Sequence, residues 1–322
     1  MKAAVLHQFG RPLVVEDVAD PRPGAGDVIV RVMACGIDGT DLKLLDGFGY
    51  TPKLPFVMGH EPAGIVEEVG SAVTEFRPGD RVVPYIFLIP PESRWYRKER
   101  EQLCQEMSGV IGVKHAAEGY AERLCVAAWQ LVRVPAGVAW KDAAVACDAG
   151  LTAWHAVSRA RIQPGETVLV IGVGGVGSFA VQFAGLTRAR VIAVEQSGAK
   201  VDWARSLGVQ RVIDGSRSPA TDEVRELTGG AGADCVLDIV GSAASMADAV
   251  DALRPGGRLI VVGYTPDEYR LSAKRLAQNE LEIIGSRGGT RRDLETVVEL
   301  TAAGRVRSIV TQTQPLDEVN EA

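Results

Sequence analysis

Cysteine is scarce in this sequence and poorly placed for cross-linking. Cys35, Cys104, Cys125, Cys147 and Cys235 include no C-x-x-C pair and form no regular framework, so no disulfide scaffold is expected. Long apolar runs are missing too. No stretch approaches the ~20 residues that span a bilayer, and the first residues enter the strand-like KAAVLH without an apolar leader, so no membrane partner is expected and cytoplasm is the default location. There is no excess of positive charge either. With 35 Lys and Arg against 41 Asp and Glu, the net charge of −6 gives no general attraction to nucleic acid or to an anionic surface. The mixed-charge run Arg94 to Glu106 carries both signs and reads as a solvated helical face. Repeats and low-complexity tracts are absent, and 46% apolar residues with 24% charged over 322 residues is ordinary globular composition, enough for two domains.

Against this background the segment Thr167 to Glu195, TVLVIGVGGVGSFAVQFAGLTRARVIAVE, organises the chain. Its first residues are β-branched and aliphatic, as in a strand buried on both faces. Gly172, Gly174 and Gly177 follow as G-x-G-x-x-G. The first permits a tight turn, the second lets backbone approach a pyrophosphate, and the third lets the next helix pack closely. Amides at that helix start, Gly175 and Val176 among them, face the phosphates. A second apolar strand, Arg190 to Val194, ends in Glu195 at about the 20-residue offset where a carboxylate meets the adenosine ribose. Such a carboxylate accepts from both ribose hydroxyls and repels a 2′-phosphate, which favours NAD over NADP; a solvated glutamate at a strand end is the plainer alternative.

Lys2 to His7 and Leu13 to Asp17 read as a β-ribbon, Val28 to Ala34 as a strand, and a short helix begins near Thr40 and Asp41. Short glycine-punctuated strands over Gly59 to Val83 suit a small, partly closed β-barrel. Asp142 to Ala156 is helix-like, with a glycine at the expected domain crossover. Beyond the opening unit, strand candidates at Arg211–Asp214, Asp234–Asp238, Arg258–Gly263 and Leu281–Gly285 alternate with helices, the pattern of a doubly wound parallel sheet.

Gly59-His60-Glu61 with Gly64 and Gly70, together with the glycine loop, resembles the zinc-type medium-chain alcohol dehydrogenases over nearly the whole chain. The resemblance implies an α/β fold with a GroES-like β-barrel catalytic domain at residues 1–149 and a Rossmann domain at 150–284. Residues 285–322 then return to the catalytic domain, with a C-terminus that stops early. It implies an NAD-dependent oxidoreductase acting on a small-molecule alcohol, aldehyde or ketone, and a homo-oligomer, dimer or tetramer. Lys200 matches a lysine near the adenosine ribose, and Gly263, Ser286 and Arg287 match positions near the nicotinamide half. Of the four cysteines that hold a structural zinc in many members only Cys104 remains, with Pro90, Ser93 and Tyr96 at the other positions, so no structural zinc is expected.

The implied catalytic metal would rest on Asp38, His60 and Asp148. Asp38 stands where the family carries a cysteine, and Cys35 and Cys147 lie beside ligand positions without matching them. Carboxylate oxygen is an accepted zinc ligand, but it makes manganese and other oxygen-tolerant ions better competitors. Asp38 therefore either ligates or leaves the site weak or empty. The resemblance also makes Thr40 the hydroxyl that passes a proton from the substrate, Asp41 the acid orienting the imidazole, and Glu61 the acid beside the metal. Each has a plainer reading: His60 as a structural histidine, Thr40 and Asp148 as helix caps. Where some relatives carry a relay histidine, this chain has Lys43. Two other functions stay open: a metal-independent quinone or enone reductase of the same superfamily, and an NAD-binding sensor or structural protein without turnover.

Overall fold

The computed structural model describes residues 1–90, 92–114, 118–216 and 220–322. Its chain divides into two units, one of Met1–Asp148 with Thr290–Ala322, the other of Ala149–Gly289. The sequence pattern puts these two crossings at 149/150 and 284/285.

The first unit opens with β1 (Lys2–Leu6), β2 (Val14–Asp17), β3 (Asp27–Gly36), α1 (Gly39–Leu45), β4 (Phe56–Val57), β5 (Glu61–Val69) and β6 (Arg81–Pro84). It continues through β7 (Phe87–Leu88), α2 (Arg94–Arg97), β8 (Gly109–Val110), β9 (Arg123–Ala127), β10 (Leu131–Arg133) and α3 (Trp140–Val145). Strands β10-β6-β5-β3-β9 form an antiparallel sheet and β2-β1-β4 a second one. One register positions two of the expected metal donors. β3 and β5 pair Gly36 with Glu61 and Cys35 with Pro62, with two irregularities along the ladder. Asp38 and His60, just outside the paired ends, therefore leave the sheet side by side although far apart in sequence.

The run Arg94 to Glu106 is not the solvated helical face expected from its charges. α2 is only four residues long, and Glu101 and Gln102 beyond it are buried. Burial raises the pKa of the Glu101 carboxyl. Of the four positions matching structural-zinc cysteines, Ser93 and Cys104 lie together, Oγ to Sγ 3.4 Å. The Tyr96 ring meets Trp129 edge-on at 6.0 Å.

The second unit starts with α4 (Leu151–Ala160) and alternates β11 (Thr167–Ile171), α5 (Gly175–Leu186), β12 (Arg190–Glu195), α6 (Gly198–Ser206), β13 (Arg211–Asp214) and α7 (Ala220–Leu227). It ends with β14 (Ala233–Asp238), α8 (Ala243–Ala252), β15 (Leu253–Val261), α9 (Ala273–Gln278) and β16 (Glu282–Gly285). All six strands run parallel in the order β13-β12-β11-β14-β15-β16. That is the doubly wound order, with its switch point between β11 and β14. Because both faces are covered, β11 is buried at every position, and Leu169, Ile192, Val236 and Leu259 form the sheet's core.

At the opposite end of this sheet Arg258 is nearly buried. It donates to Glu166 (Nη1 to Oε1 3.1 Å) and to the carbonyl of Ala160. Burial works against the Glu166 carboxylate, but hydrogen bonds from Arg258 and the Gln163 amide hold its pKa below the usual range. Its contribution to stability is therefore complete above the ordinary glutamate pKa of about 4.3 and is lost as pH falls through the depressed folded value. Arg258→Met strands a carboxylate and is expected to lower the unfolding free energy by about 3 kcal/mol in a urea titration at pH 7; a change within error would show that the pair adds nothing to stability.

After Gly289 the chain re-enters the first unit. α10 (Arg291–Ala302) is capped by Thr290 and Asp293, and Arg291 donates to the carbonyls of Trp129 (2.8 Å) and Leu131 (2.9 Å). The last turn rejoins β1 through Lys2–Asp317, and Asn320 bonds both backbone groups of Leu13, just before β2. No helix among the described residues is long and apolar enough to cross a membrane.

Candidate metal centre and dinucleotide loop

Asp38, His60 and Asp148 converge, each offering one donor atom, with all three donors within 4.8 Å of one another. Three local structures bring them there. Asp38 lies two residues past β3, and its carboxylate accepts the Thr40 amide (2.6 Å), which makes it the N-cap of α1. His60 precedes β5 and follows Gly59, whose φ of +95° disfavours any side chain and whose missing Cβ would stand 2.5 Å from the Tyr120 ring. Asp148 sits on a π-helical turn, Ala146–Gly150, inserted between α3 and α4. The single helix expected over Asp142 to Ala156 is thus three pieces, and the wide turn carries the third donor. Such insertions frequently mark functional sites.

His60 is the hub. Its Nδ1 lies 3.2 Å from Asp41 Oδ1; a carboxylate can only accept there, so Nδ1 carries the proton. Nε2 faces Asp38 Oδ1 at 3.5 Å and Asp148 Oδ2 at 3.4 Å, is fully buried, and makes no well-aligned hydrogen bond among the described residues. Burial opposes the imidazolium, but Asp41, Asp148 and Asp38 outweigh it and hold the His60 pKa well above the ordinary value. Burial, then the neighbouring Asp148 and Asp41, raise the pKa of Asp38 against the pull of His60. Two carboxylate oxygens and an imidazole nitrogen facing one point need positive charge between them, which the raised pKa of His60 supplies as a proton and which a metal ion would supply in its place. The donor set fits a divalent ion.

The family pattern assigns Asp41 to the imidazole, and its Oδ1 lies 3.2 Å from Nδ1. Thr40 is the alternative expected cap; the cap is Asp38 instead, and Asp41 returns the bond by accepting the Asp38 amide (3.0 Å), a complete capping box. Asp38-Gly39-Thr40-Asp41 has the spacing that could have shown this. Thr40 is half-buried in the first turn of α1. Glu61 is buried but falls outside the cluster, its carboxylate filling the space beside Gly36. Cys147 Sγ turns to the carbonyls of His60 and Pro62, both at 3.8 Å, and burial pushes both it and Cys35 well above the usual thiol range, so neither offers a thiolate. Lys43, on α1, has its pKa lowered by burial against the pull of Asp38.

In the second unit the expected dinucleotide residues lie past the carboxyl ends of parallel strands, where ligands bind in such sheets: Gly172 to Gly177 after β11, Glu195 ending β12, Gly263 after β15, Ser286 and Arg287 after β16. Gly172 has φ +88°, and a Cβ on Gly177 would lie 1.9 Å from the Gly172 carbonyl. A Cβ on Gly174 would meet nothing. The first and third glycines answer to the fold, whereas the described residues leave open space beside the second. Gly175 and Val176 open α5. Glu195 accepts from the amides of Val173 (2.8 Å), Gln196 (2.8 Å) and Ser197 (3.1 Å), which fixes its carboxylate against the loop while leaving acceptor capacity for ribose hydroxyls. Lys200 lies on α6, and Ser286 Oγ is buried without a hydrogen-bond partner among the described residues.

Comparison with known proteins agrees with both halves. Residues 24–136 match the alcohol dehydrogenase GroES-like domain family and residues 175–303 the zinc-binding dehydrogenase family. An alcohol dehydrogenase of Geobacillus stearothermophilus is 35% identical over 100% of this chain and 94% of its own length. The chain belongs to the zinc-binding alcohol dehydrogenase family. An NAD-dependent alcohol dehydrogenase of Sulfurisphaera tokodaii is 31% identical over 100% of this chain and 95% of that protein. The crystal structure of the alcohol dehydrogenase of the archaeon Aeropyrum pernix superposes with a TM-score of 0.93 at 34% identity, covering 100% of this chain and 95% of that one. NAD-dependent alcohol dehydrogenase activity on small molecules goes with membership of this zinc-binding alcohol dehydrogenase family.

Proposed function

We propose that Asp38, His60 and Asp148 hold one divalent cation, and that Gly172, Gly174, Gly175, Val176, Gly177, Glu195, Lys200, Gly263, Ser286 and Arg287 hold the dinucleotide. The observation that carries the metal reading is the buried His60 Nε2 facing two carboxylates. A cation held by Asp38, His60 and Asp148 would supply polarisation of an alcohol or carbonyl oxygen, and a dinucleotide held by the glycine loop would supply the hydride acceptor or donor. The chain's own part is positional. Asp41 keeps the proton on Nδ1 and so turns the Nε2 lone pair toward the site. Thr40 carries a hydroxyl on the turn capped by Asp38 and is proposed to relay the substrate proton, taking it on oxidation as it hands its own on toward solvent, and running in reverse on reduction. Buried Glu61 is proposed as the acid beside the centre.

The lobe around Ser93 and Cys104 is proposed to carry no structural zinc, since the three remaining cysteine positions are Pro90, Ser93 and Tyr96. Homo-oligomerisation is proposed through edge strand β16, where Ile283 is exposed, and is read by sedimentation.

One observation favours the metal-independent reductase: the Asp38 oxygen nearest Nε2 is already engaged as a helix cap. Asp38→Cys separates the two readings. If Asp38 ligates, a thiolate in its place raises the ratio of zinc to manganese affinity by about tenfold, ~1.4 kcal/mol, by competition calorimetry. A ratio unmoved by the substitution, with turnover persisting in metal-free protein, would favour the metal-independent enzyme.

A further inference from the structure

We propose that Tyr120 is a positioning residue of this centre, clamping together the two segments that carry Asp38 and His60; the inference rests on the reading that those residues and Asp148 hold a cation. Tyr120 is buried in the first unit. Its hydroxyl donates to the carbonyl of Gly36 (3.2 Å), two residues before Asp38. Its amide donates to the carbonyl of Met58 (2.9 Å), two residues before His60. Its own carbonyl accepts from Ala4 (2.8 Å), which anchors the clamp to β1, and its ring packs where a side chain on Gly59 would stand. One residue thus fixes both donor-bearing segments just upstream of their donors, across a ladder that is irregular near its end. The phenol keeps its proton for this purpose: burial, then the Asp41 carboxylate, push its pKa well above the ordinary tyrosine value.

Ligand sets lose affinity when the groups that aim them are removed, typically by 10–100-fold for a partner one bond removed from the donors. The hydroxyl of Tyr120 acts through the one backbone segment that carries Gly36 and Asp38 rather than on a ligand directly, which places its effect at the lower end.

The test uses metal-free full-length protein titrated with Co2+ and followed by visible absorption and calorimetry. Tyr120→Phe keeps the ring, the packing against Gly59 and both backbone bonds, and removes only the hydroxyl. It is expected to weaken Co2+ binding about tenfold and to change the ligand-field spectrum, while the melting temperature of the metal-free protein stays that of the wild type. Tyr120→Leu, which also loses the ring, is expected to lower that temperature as well. A Tyr120→Phe protein with wild-type Co2+ affinity and spectrum overturns the inference and leaves the metal reading standing. So does one destabilised without metal but unaltered in affinity, since its role is then structural alone. Failure of the wild-type protein to bind Co2+ at all, with Asp148→Ala as the control, overturns both.

Discussion

Asp148→Ala is expected to empty the metal centre and to lower turnover by about a thousandfold, since polarising the substrate oxygen is worth several kcal/mol and each 1.36 kcal/mol is a factor of ten. The choice of residue matters. Asp38 serves as helix cap and candidate donor at once, so removing it costs about 1 kcal/mol of cap as well as a ligand and confounds the result. Asp148 sits in mid-turn, with its carboxylate 3.4 Å from His60 Nε2. Alanine suits a helical turn, so the fold should survive. NADH affinity should also survive, because the glycine loop and Glu195 belong to the other unit. Metal content after gentle purification, steady-state rates and an NADH fluorescence titration read the three quantities separately. Retained metal with full turnover would sink the assignment. A joint loss of metal, rate and NADH binding would mean that the variant had unfolded.

Much of the fold and part of the site are legible in the chain, and the reasons differ from part to part. The glycine loop can be read because its demands are local: a turn at Gly172, contact between Gly177 and the Gly172 carbonyl, and an acidic residue one strand later all fall within thirty-odd residues of backbone physics. The alternation of strands and helices gives the parallel sheet for the same reason. The convergence of Asp38, His60 and Asp148 comes only through family likeness, since no periodicity announces a register that pairs Gly36 with Glu61 across two irregularities. The π turn is invisible because Asp142 to Ala156 satisfies an ordinary helical pattern, and one extra residue per turn is set by what the helix packs against. The capping box escapes for a different reason. The family pattern presents Asp38 only as a replaced cysteine, although an acidic residue three positions before Asp41 at a helix start has a purely local meaning. Tyr120 carries no local signal at all; its three backbone and hydroxyl contacts reach Ala4, Gly36 and Met58.

The glycine loop yields the other large effect, through a contrast between two neighbouring positions. Gly174→Ala adds a methyl group that meets no atom of the described residues within 4 Å, at a negative φ (−79°) outside the left-handed region that favours glycine. Thermal stability should therefore match the wild type. If this amide is where the dinucleotide phosphates approach the backbone, the same methyl displaces them, and a misplacement near 1 Å costs about a hundredfold in NADH affinity or rate. Gly177→Ala makes the opposite trade. Its methyl would lie 1.9 Å from the Gly172 carbonyl, so α5 must shift away from β11, at a cost of about 1–3 kcal/mol in stability before any ligand is added. Unfolding curves without nucleotide and NADH titrations on both variants form a two-by-two comparison. Stable and non-binding for Gly174, destabilised for Gly177, is the expected pattern. Wild-type NADH affinity in Gly174→Ala would place the phosphates elsewhere, because the protein itself gives no reason for a glycine at that position.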